Sequence, residues 1–295
     1  MLNIHKILVP VAFADACKGD HRHLLAQAAW LARRFHAEII LLHVVPPLSY
    51  PAGVLESGHE ITARDLHAHI IQRAQQDLDQ APLPELEGIT VARLLLRGDP
   101  AHEIGETVRN RSVDLIVMPT HGCGAFYRLL LGSVTAKVLH ETQCPVWTGA
   151  HLEDAPPAEF SVRHVLCAVE LNPHNRHTVS LAAAMATALD ASLTLVHITD
   201  SVEFYGPGGP RVDATWKEKI IGFAAGEIAT LQKELGTNAR VIIDSGNVPE
   251  LLNRAAKETK ADVLIIGHIP GRSHLGDNGN GYGIIRQSVI PVLSV

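Results

Sequence analysis

The sequence predicts an α/β protein that contains one doubly wound domain twice, each copy being a parallel β-sheet with helices on both faces. Short apolar runs rich in Ile, Leu and Val alternate with longer Ala- and Leu-rich stretches along the chain. The apolar runs are continuous, which is typical of strands covered on both faces and therefore of a parallel sheet. Similar blocks also occur twice in the same order, which indicates domain duplication.

The duplication is visible as four matched pairs of blocks that lie about 150 residues apart. The pairs are ILVPVAF and VLCAVEL (7–13 and 165–171), EIILLHVV and SLTLVHIT (38–45 and 192–199), DLIVM and DVLII (114–118 and 262–266), and CPVW and IPVLSV (144–147 and 290–295). Between the two sets, the stretch HLEDAPPAEFSV is polar and contains prolines, as a linker does. We therefore expect domains at residues 1–150 and 160–295.

Each copy is expected to contain five strands, from the apolar runs, and four helices, from the stretches between them. In the first copy the strands are predicted at 6–12, 38–45, 89–96, 113–118 and 145–148, and the helices at about 20–36, 59–80, 100–110 and 133–142. In the second copy the strands are predicted near 163–170, 192–199, 239–244, 262–267 and 291–295, and the helices near 174–189, 213–235, 248–259 and 279–287. Such a fold binds its ligand at the carboxyl ends of the strands, so the loops after Pro10, Val44, Arg97 and Met118 are the candidate sites.

The composition excludes several classes of function. Hydrophobic residues make up 46% of the 295 residues and charged residues 19%, which is a globular composition. The first 150 residues carry 13 Lys and Arg against 15 Asp and Glu, and the remainder carries 12 against 16, so no nucleic-acid partner is expected. No apolar stretch reaches about 18 residues and the start lacks a signal-peptide pattern, so we expect no membrane span and a cytoplasmic location.

The loop after the fourth strand, PTHGCGAFYRLLLGSVTAKVLHE, carries the most informative spacing. Gly122 is followed by nine residues and then by Gly132 and Ser133, where a helix is predicted to begin. The unpaired N–H groups and the dipole of a helix N-terminus favour phosphate. We expect a phosphate cradle there, with further contacts from the first part of the loop. Its residues are Gly132, Ser133, Val134 and Thr135, with Thr120, Gly122 and Cys123. A glycine-containing loop in which Ser133 is an ordinary N-cap explains the same spacing.

Histidine and cysteine patterns leave two questions open. His121 lies inside the loop, where it either hydrogen-bonds a phosphate or caps the loop. His43 and His197 are equivalent residues of a buried strand, and core packing is the expected role of both. The four cysteines form no Cys-x-x-Cys pair, so no metal site is expected from them. A metal site formed by histidines of several helices is left open.

The block MPTHGCGAFYRLLLGSVTAKVLHETQCPVW, together with ILVPVAF, EIILLHVV and RGDPAHEI, resembles the universal stress protein family. The resemblance covers nearly the whole chain, with one family domain in each copy, so the chain looks like a tandem universal stress protein. It implies a five-stranded parallel sheet of order 3-2-1-4-5 in each copy. It also implies that ATP lies across the ends of strands 1 and 4. In the family, dimers pair through the fifth strand, which implies an intramolecular pseudo-dimer here and leaves a homodimer of two chains open.

The resemblance to the nucleotide-binding relatives implies an adenosine pocket and a set of phosphate and ribose contacts. Pro10, Val11, Val44 and Met118 would line the pocket, and Gly122, Gly132, Ser133 and Val134 would hold the phosphates and ribose. Two positions depart from the family pattern. Pro119 replaces the first glycine of the Gly-x2-Gly-x9-Gly-Ser/Thr motif and lacks an N–H, and Ala12 replaces an aspartate that commonly holds the nucleoside.

The second copy has lost this spacing. Gly267 keeps the first glycine, but Pro270 replaces the second. Counting from Pro291 places Asn278 and Gly279 opposite Gly132 and Ser133, whereas counting nine residues from Gly271 leads to Gly281 and Tyr282. Glu170 stands at the acidic position after the first strand. We expect the second copy to bind nucleotide poorly or to hold a different ligand.

The sequence and the resemblance together predict a stress-response protein that binds ATP, ADP or AMP in its first domain. The alternatives are a nucleotide-free interaction or scaffold protein, and a weak ATPase in which Mg²⁺ bridges the phosphates. No Walker A motif, Gly-x-Ser-x-Gly elbow or nucleophile–base pair is apparent. No catalytic residue or protein-bound metal is therefore predicted, and slow ATP hydrolysis is the most that the resemblance allows.

Overall fold

The structure is a computed structural model. It describes residues 2–12, 21–47, 60–120, 131–149, 160–172, 175–199, 204–206, 209–211, 214–267 and 280–295. In the first copy the elements are β1 (Lys6–Pro10), α1 (His21–Phe35), β2 (Glu38–Val45), α2 (Glu60–Gln80), a 3-10 turn (Pro84–Leu86), β3 (Val91–Arg97), α3 (Pro100–Arg111), β4 (Leu115–Met118), α4 (Ser133–Glu141) and β5 (Val146–Thr148). In the second copy they are β6 (His164–Ala168), α5 (Asn175–Leu189), β7 (Ser192–Thr199), β8 (Phe204–Gly206), β9 (Gly209–Arg211), α6 (Ala214–Leu235), β10 (Arg240–Ser245), α7 (Val248–Thr259), β11 (Val263–Ile266), α8 (Asn280–Gln287) and β12 (Val292–Ser294).

Ten of the strands form one sheet in the order β10-β7-β6-β11-β12-β5-β4-β1-β2-β3. Read outward from the centre, each half has the order 5-4-1-2-3, so the predicted 3-2-1-4-5 topology is confirmed in both copies. All neighbours within a half are parallel. The two fifth strands, β5 and β12, pair antiparallel at the centre.

The strand prediction succeeds because burial on both faces selects continuous apolar runs. All four residues of β4 and all four of β11 are buried. The short hairpin formed by β8 and β9 was not predicted, because its two strands are only three residues long and flank glycines and prolines. The 3-10 turn at Pro84–Leu86 was also missed, since a three-residue element has no periodicity to detect.

The same backbone supports recur in both copies. Asp114 accepts hydrogen bonds from the N–H groups of His5 and Lys6, at 2.7 and 3.0 Å. Asp262 accepts equivalent bonds from the two residues at the start of β6, at 2.7 and 2.9 Å. Asp99 and Asn247 are the N-caps of α3 and α7. Each carboxylate beside a first strand therefore fixes the register between the first and fourth strands of its copy.

The two halves share their hydrophobic cores. The core on one face of the sheet contains α1 and α5, and the core on the other face contains α3, α4, α7 and α8. At the junction, the Thr148 hydroxyl donates to the Val292 carbonyl at 3.2 Å. Phe160, from the segment that joins the copies, packs edge-to-face on Trp30 and Trp147, with ring centroids 5.4 and 6.1 Å apart. The two copies are therefore joined by strand pairing and by continuous cores. No helix in the described ranges has the length and apolar composition needed to cross a bilayer.

Candidate functional site

The carboxyl ends of β1 and β4 lie side by side, because these strands pair directly. The chain leaves β1 at Val11, whose N–H donates to the Leu42 carbonyl at 2.9 Å. The Nδ1 atom of His43 lies 2.8 Å from the Val11 carbonyl. Because a carbonyl oxygen only accepts, Nδ1 carries the hydrogen of this bond. His43 is thus a structural residue that holds the end of β1.

The predicted adenosine residues divide between the two faces of the sheet. Val44 and Met118 are buried in the core that contains α3 and α4, whereas Val11 is buried in the core that contains α1. Pro10 is half-buried and alternates with Val11 along the strand, so it shares the face of Val44 and Met118. The structure therefore brings Pro10, Val44 and Met118 together on one face and places Val11 on the other.

The helix α4 begins without a side-chain cap. Gly132 is its N-cap, with φ −61° and ψ 141°, and no side chain accepts from the first turn. The interpretation of Ser133 as the N-cap is therefore wrong, because Ser133 is already the first helical residue. The first intrahelical bond runs from the Ala136 N–H to the Gly132 carbonyl at 2.8 Å. Within the described ranges, no acceptor meets the N–H groups of Ser133, Val134 and Thr135, and the side chain of Ser133 is exposed.

Two hydrogen bonds attach the start of α4 to the end of β4. The Gly132 N–H donates to the Thr120 carbonyl at 2.8 Å, and the Thr135 hydroxyl donates to the Pro119 carbonyl at 2.9 Å. Thr120 and Thr135 are both buried. The Gly132 N–H and the Thr135 hydroxyl are thus occupied by internal partners, and they position the turn. His121, Gly122 and Cys123, the remaining predicted loop residues, lie outside the described residues.

An ion pair attaches α4 to the neighbouring helix. Lys137 Nζ lies 3.0 Å from Oδ1 of Asp99, which also accepts from the N–H of His102 at 3.0 Å. The His102 N–H, and next the Lys137 hydrogen bond, hold the pKa of Asp99 below its usual value. The hydrogen bond with Asp99 raises the pKa of Lys137. This ion pair could not be predicted from the sequence, since its partners are 38 positions apart in the chain.

The equivalent place in the second copy keeps the hydrogen bonds that hold the end of the first strand. Val169 donates to the Val196 carbonyl at 2.8 Å, and Nδ1 of His197 donates to the Val169 carbonyl at 2.7 Å. The helix ends correspond as well, because the Thr142 N–H bonds to Val138 and the Ser288 N–H bonds to Ile284.

That correspondence supports the alignment counted from Pro291 over the one counted from Gly271. It places Gly281 opposite Thr135 and Gly283 opposite Lys137. The second copy therefore has neither the Thr135 hydroxyl bond nor the Lys137 ion pair. Asn278 and Gly279, which align with Gly132 and Ser133, lie outside the described residues.

Other candidate chemistry lies elsewhere. Among the described residues, no group of three or more His, Cys, Asp or Glu side chains is placed to hold a metal ion. Burial raises the pKa of the Cys144 and Cys167 thiols to about 12, so both are unreactive at neutral pH. Two cavities, of about 510 and 320 Å³, lie at the amino ends of β3 and of β1 and β2, opposite the predicted site.

The comparisons with known proteins agree with this architecture. The universal stress protein family model matches residues 3–148 and again residues 161–295. Universal stress protein MJ0531 of Methanocaldococcus jannaschii is 30% identical over 142 residues, which is 48% of this chain and 79% of that protein. A universal stress protein of Thermus aquaticus is 49% identical over 129 residues, covering 43% of this chain and 89% of that one.

A solved structure extends the likeness to the whole fold. The crystal structure of a universal stress protein from Archaeoglobus fulgidus superposes with a TM-score of 0.60 at 20% sequence identity. The match covers 98% of this chain and 97% of that one, so both copies and their arrangement contribute to it. The duplicated fold and the two matches to the family model together show that the chain belongs to the universal stress protein family, with two copies of the family domain.

Proposed function

We propose that this protein is a cytoplasmic stress-response binding protein whose first domain, residues 1–150, binds an adenine nucleotide, with ATP as the first candidate. The observation that carries the proposal is the uncapped start of α4. Three successive N–H groups, of Ser133, Val134 and Thr135, lack an acceptor among the described residues, and the exposed Ser133 hydroxyl lies beside them.

Phosphate suits these donors for two physical reasons. The N–H groups of a first helical turn point outward along the helix axis, and the helix dipole adds about half a positive charge at that end. Gly132 has no side chain to obstruct an oxygen anion that approaches them. In the proposed site the Gly132 N–H and the Thr135 hydroxyl hold the turn through Thr120 and Pro119. The N–H groups of Ser133, Val134 and Thr135 bind the phosphates. His121 and Gly122 are proposed to contact them from the loop.

The adenosine is proposed to lie over the ends of β1, β2 and β4. Pro10, which is half-buried, is proposed to make the apolar contact, and Val44 and Met118 are buried in the core on the same face of the sheet as α4. Val11 is proposed to contribute through its main chain, since its side chain is buried on the other face. Mg²⁺ would be held mainly by the phosphates, because no acidic cluster among the described residues offers a separate metal site.

A second candidate function is nucleotide-free binding of another protein. It is favoured by Pro119, which offers no N–H at the first glycine of the motif, and by Ala12, which offers no carboxylate to a ribose. A weak Mg²⁺-dependent ATPase is the third candidate. It needs a base that activates water, and no residue of the described site has been assigned that role.

The test is to identify what the freshly purified full chain carries. Denaturing the protein and analysing the released small molecules by mass spectrometry should show ATP, ADP or AMP. Calorimetry with ATP and Mg²⁺ should then show one binding site per chain. The absence of released nucleotide, together with no heat on adding ATP, would contradict the proposal and favour the nucleotide-free function.

A further inference from the structure

The second copy contacts α4 of the first copy through the side chain of Tyr282. Tyr282 is the third residue of α8, and its hydroxyl donates to the main-chain carbonyl of Ala136 in α4 at 3.1 Å. The side chain is partly buried at the junction of the copies. Burial raises the pKa of Tyr282, so the phenol keeps at neutral pH the proton that it donates.

Ala136 is the residue that closes the first turn of α4. Its N–H donates to the Gly132 carbonyl at 2.8 Å, and the Gly132 N–H donates to the Thr120 carbonyl at 2.8 Å. Hydrogen bonds therefore connect Tyr282 to Ala136, Ala136 to Gly132, and Gly132 to the end of β4. The turn within this series carries the three N–H groups that the proposed function assigns to phosphate.

The contact depends on divergence between the copies. Ala136 and Tyr282 hold equivalent positions, since each lies nine residues before the proline that precedes its fifth strand, Pro145 or Pro291. Two identical domains related by a two-fold axis would place the same residue on both sides. Here a small residue faces an aromatic one, so the hydroxyl of the second copy reaches the main chain of the first.

We infer that Tyr282 is a positioning residue for the nucleotide site of the other copy, an inference that rests on the proposed function of the first domain. The second copy then serves as an intramolecular partner that holds α4 in its binding position. Holding the turn before the nucleotide arrives lowers the cost of ordering it and so raises the affinity.

The test uses the full chain and the variant Tyr282→Phe, which keeps the ring and removes the hydroxyl. We expect ATP binding, measured by calorimetry, to weaken about 2- to 10-fold, the range for one net hydrogen bond. Amide hydrogen exchange of residues 133–141 without nucleotide should quicken by a similar factor. Thr230→Val is the matched control, because it removes a hydroxyl that donates to a helix carbonyl, that of Gly226, on the remote α6. It should change neither measurement.

The outcomes separate this inference from the proposed function. If the wild type binds ATP and Tyr282→Phe binds it equally well, the inference is overturned and the proposed function stands. If the wild type binds no nucleotide, the proposed function fails and hydrogen exchange alone judges the role of Tyr282. In that case unchanged exchange in residues 133–141 overturns the inference as well, and faster exchange supports the hold of Tyr282 on α4.

Discussion

The helices α4 and α8 stand at equivalent places on either side of the central strand pair, yet they are held differently. The α4 helix begins with Ser-Val-Thr and is attached by the Thr135 hydroxyl and by the Lys137 ion pair. The α8 helix begins with Asn-Gly-Tyr-Gly and has glycine at both equivalent positions. Glycine has no side chain to bind with and favours helix less than alanine does by about 1 kcal/mol.

The comparison separates what the fold requires from what a site requires. Both copies keep the aspartate that fixes the first strand and the histidine that holds its end. In each contact a side chain binds backbone atoms at the end of a neighbouring strand, so the same residue type serves the same purpose in both copies of the fold. The attachments through Thr135 and Lys137 involve side chains that only the first copy has, and both belong to the helix whose start we propose binds phosphate.

The largest expected effect comes from placing a negative charge on the first residue of α4. Ser133→Glu should weaken ATP binding about 100-fold or more, because like charges within about 4 Å repel by several kcal/mol near a protein surface. Asn280→Glu adds the same charge to the first residue of α8 and should leave the affinity unchanged. Calorimetry with ATP and Mg²⁺ measures both variants. Equal weakening by the two substitutions would contradict the assignment of phosphate binding to the start of α4 and not of α8.

The next effect concerns a buried polar pair that only the first copy has. The Trp147 Nε1–H donates to Gln27 Oε1 at 2.7 Å, and both side chains are buried. Leu181 and Leu293 hold the equivalent positions in the second copy. Gln27→Leu leaves the indole N–H without its partner, so we expect the free energy of unfolding to fall by about 1–3 kcal/mol.

Urea denaturation measures this change in the free energy of unfolding. Gln75→Leu is the matched control, because Gln75 is an exposed helical residue whose amide donates, among the described residues, to the exposed Asp79. Its effect should stay within about 0.5 kcal/mol. A Gln27→Leu variant as stable as the wild type would show that the hydrogen bond between Gln27 and Trp147 does not contribute to stability.

A smaller effect is expected from restoring the first glycine of the motif. Pro119→Gly supplies the N–H that Gly267 supplies in the second copy, and ATP binding should strengthen about 2- to 10-fold if this N–H reaches the nucleotide. Gly267→Ala is the control in the second copy. Its added methyl would lie 2.9 Å from Thr178 Oγ1, so the Thr178 side chain must shift, and the affinity for ATP should stay unchanged. Calorimetry with ATP that shows no gain for Pro119→Gly would mean that the missing donor does not limit affinity.

The smallest effect concerns the titration of Asp99, whose counterpart in the second copy is the uncharged Asn247. Lys137→Met should raise the pKa of Asp99 toward its usual value, but only in part, because the His102 N–H remains the larger cause of the lowering. A carboxyl whose pKa is lower in the folded state stabilises the fold above its unfolded pKa. That contribution is lost as the pH falls below 3.8 and through the lower folded pKa.

Carboxyl NMR titration of the full chain measures this pKa. The control is Glu106, whose pKa is lowered by Arg109 of its own helix and should not change in Lys137→Met. An unchanged pKa for Asp99 in the variant would show that the ion pair does not persist in solution, and α4 would lose one of its attachments to α3.

Most of the fold could be predicted because local sequence and burial agree in it. The run Leu115–Met118 is continuous and buried on both faces, and the strand is found where it was predicted. The start of α4 at Ser133 was also predicted, since Gly132 interrupts the apolar pattern just before it. The hairpin at Phe204–Gly206 and Gly209–Arg211 could not be predicted in this way, because three residues are too few to show an alternation.

The details of the site depend on contacts between distant residues. The position of Thr120 decides whether the Gly132 N–H is free or bonded. The helices that cover the sheet decide which of the two cores the Val11 side chain joins. Lys137 meets Asp99 across 38 positions, and Tyr282 meets Ala136 across 146. No periodicity in one sequence records such pairs.

The sequence by itself therefore determined the duplicated α/β fold, the strand order through its family resemblance, and the point where α4 begins. These features follow from backbone geometry and from the burial of apolar runs, which act over a few neighbouring residues. Only the tertiary structure decided which N–H groups of α4 lack an acceptor among the described residues, and that a residue of the second copy bonds to that helix. Those properties arise where chain segments far apart in sequence meet, and hydrogen bonding there depends on distances of a few tenths of an ångström.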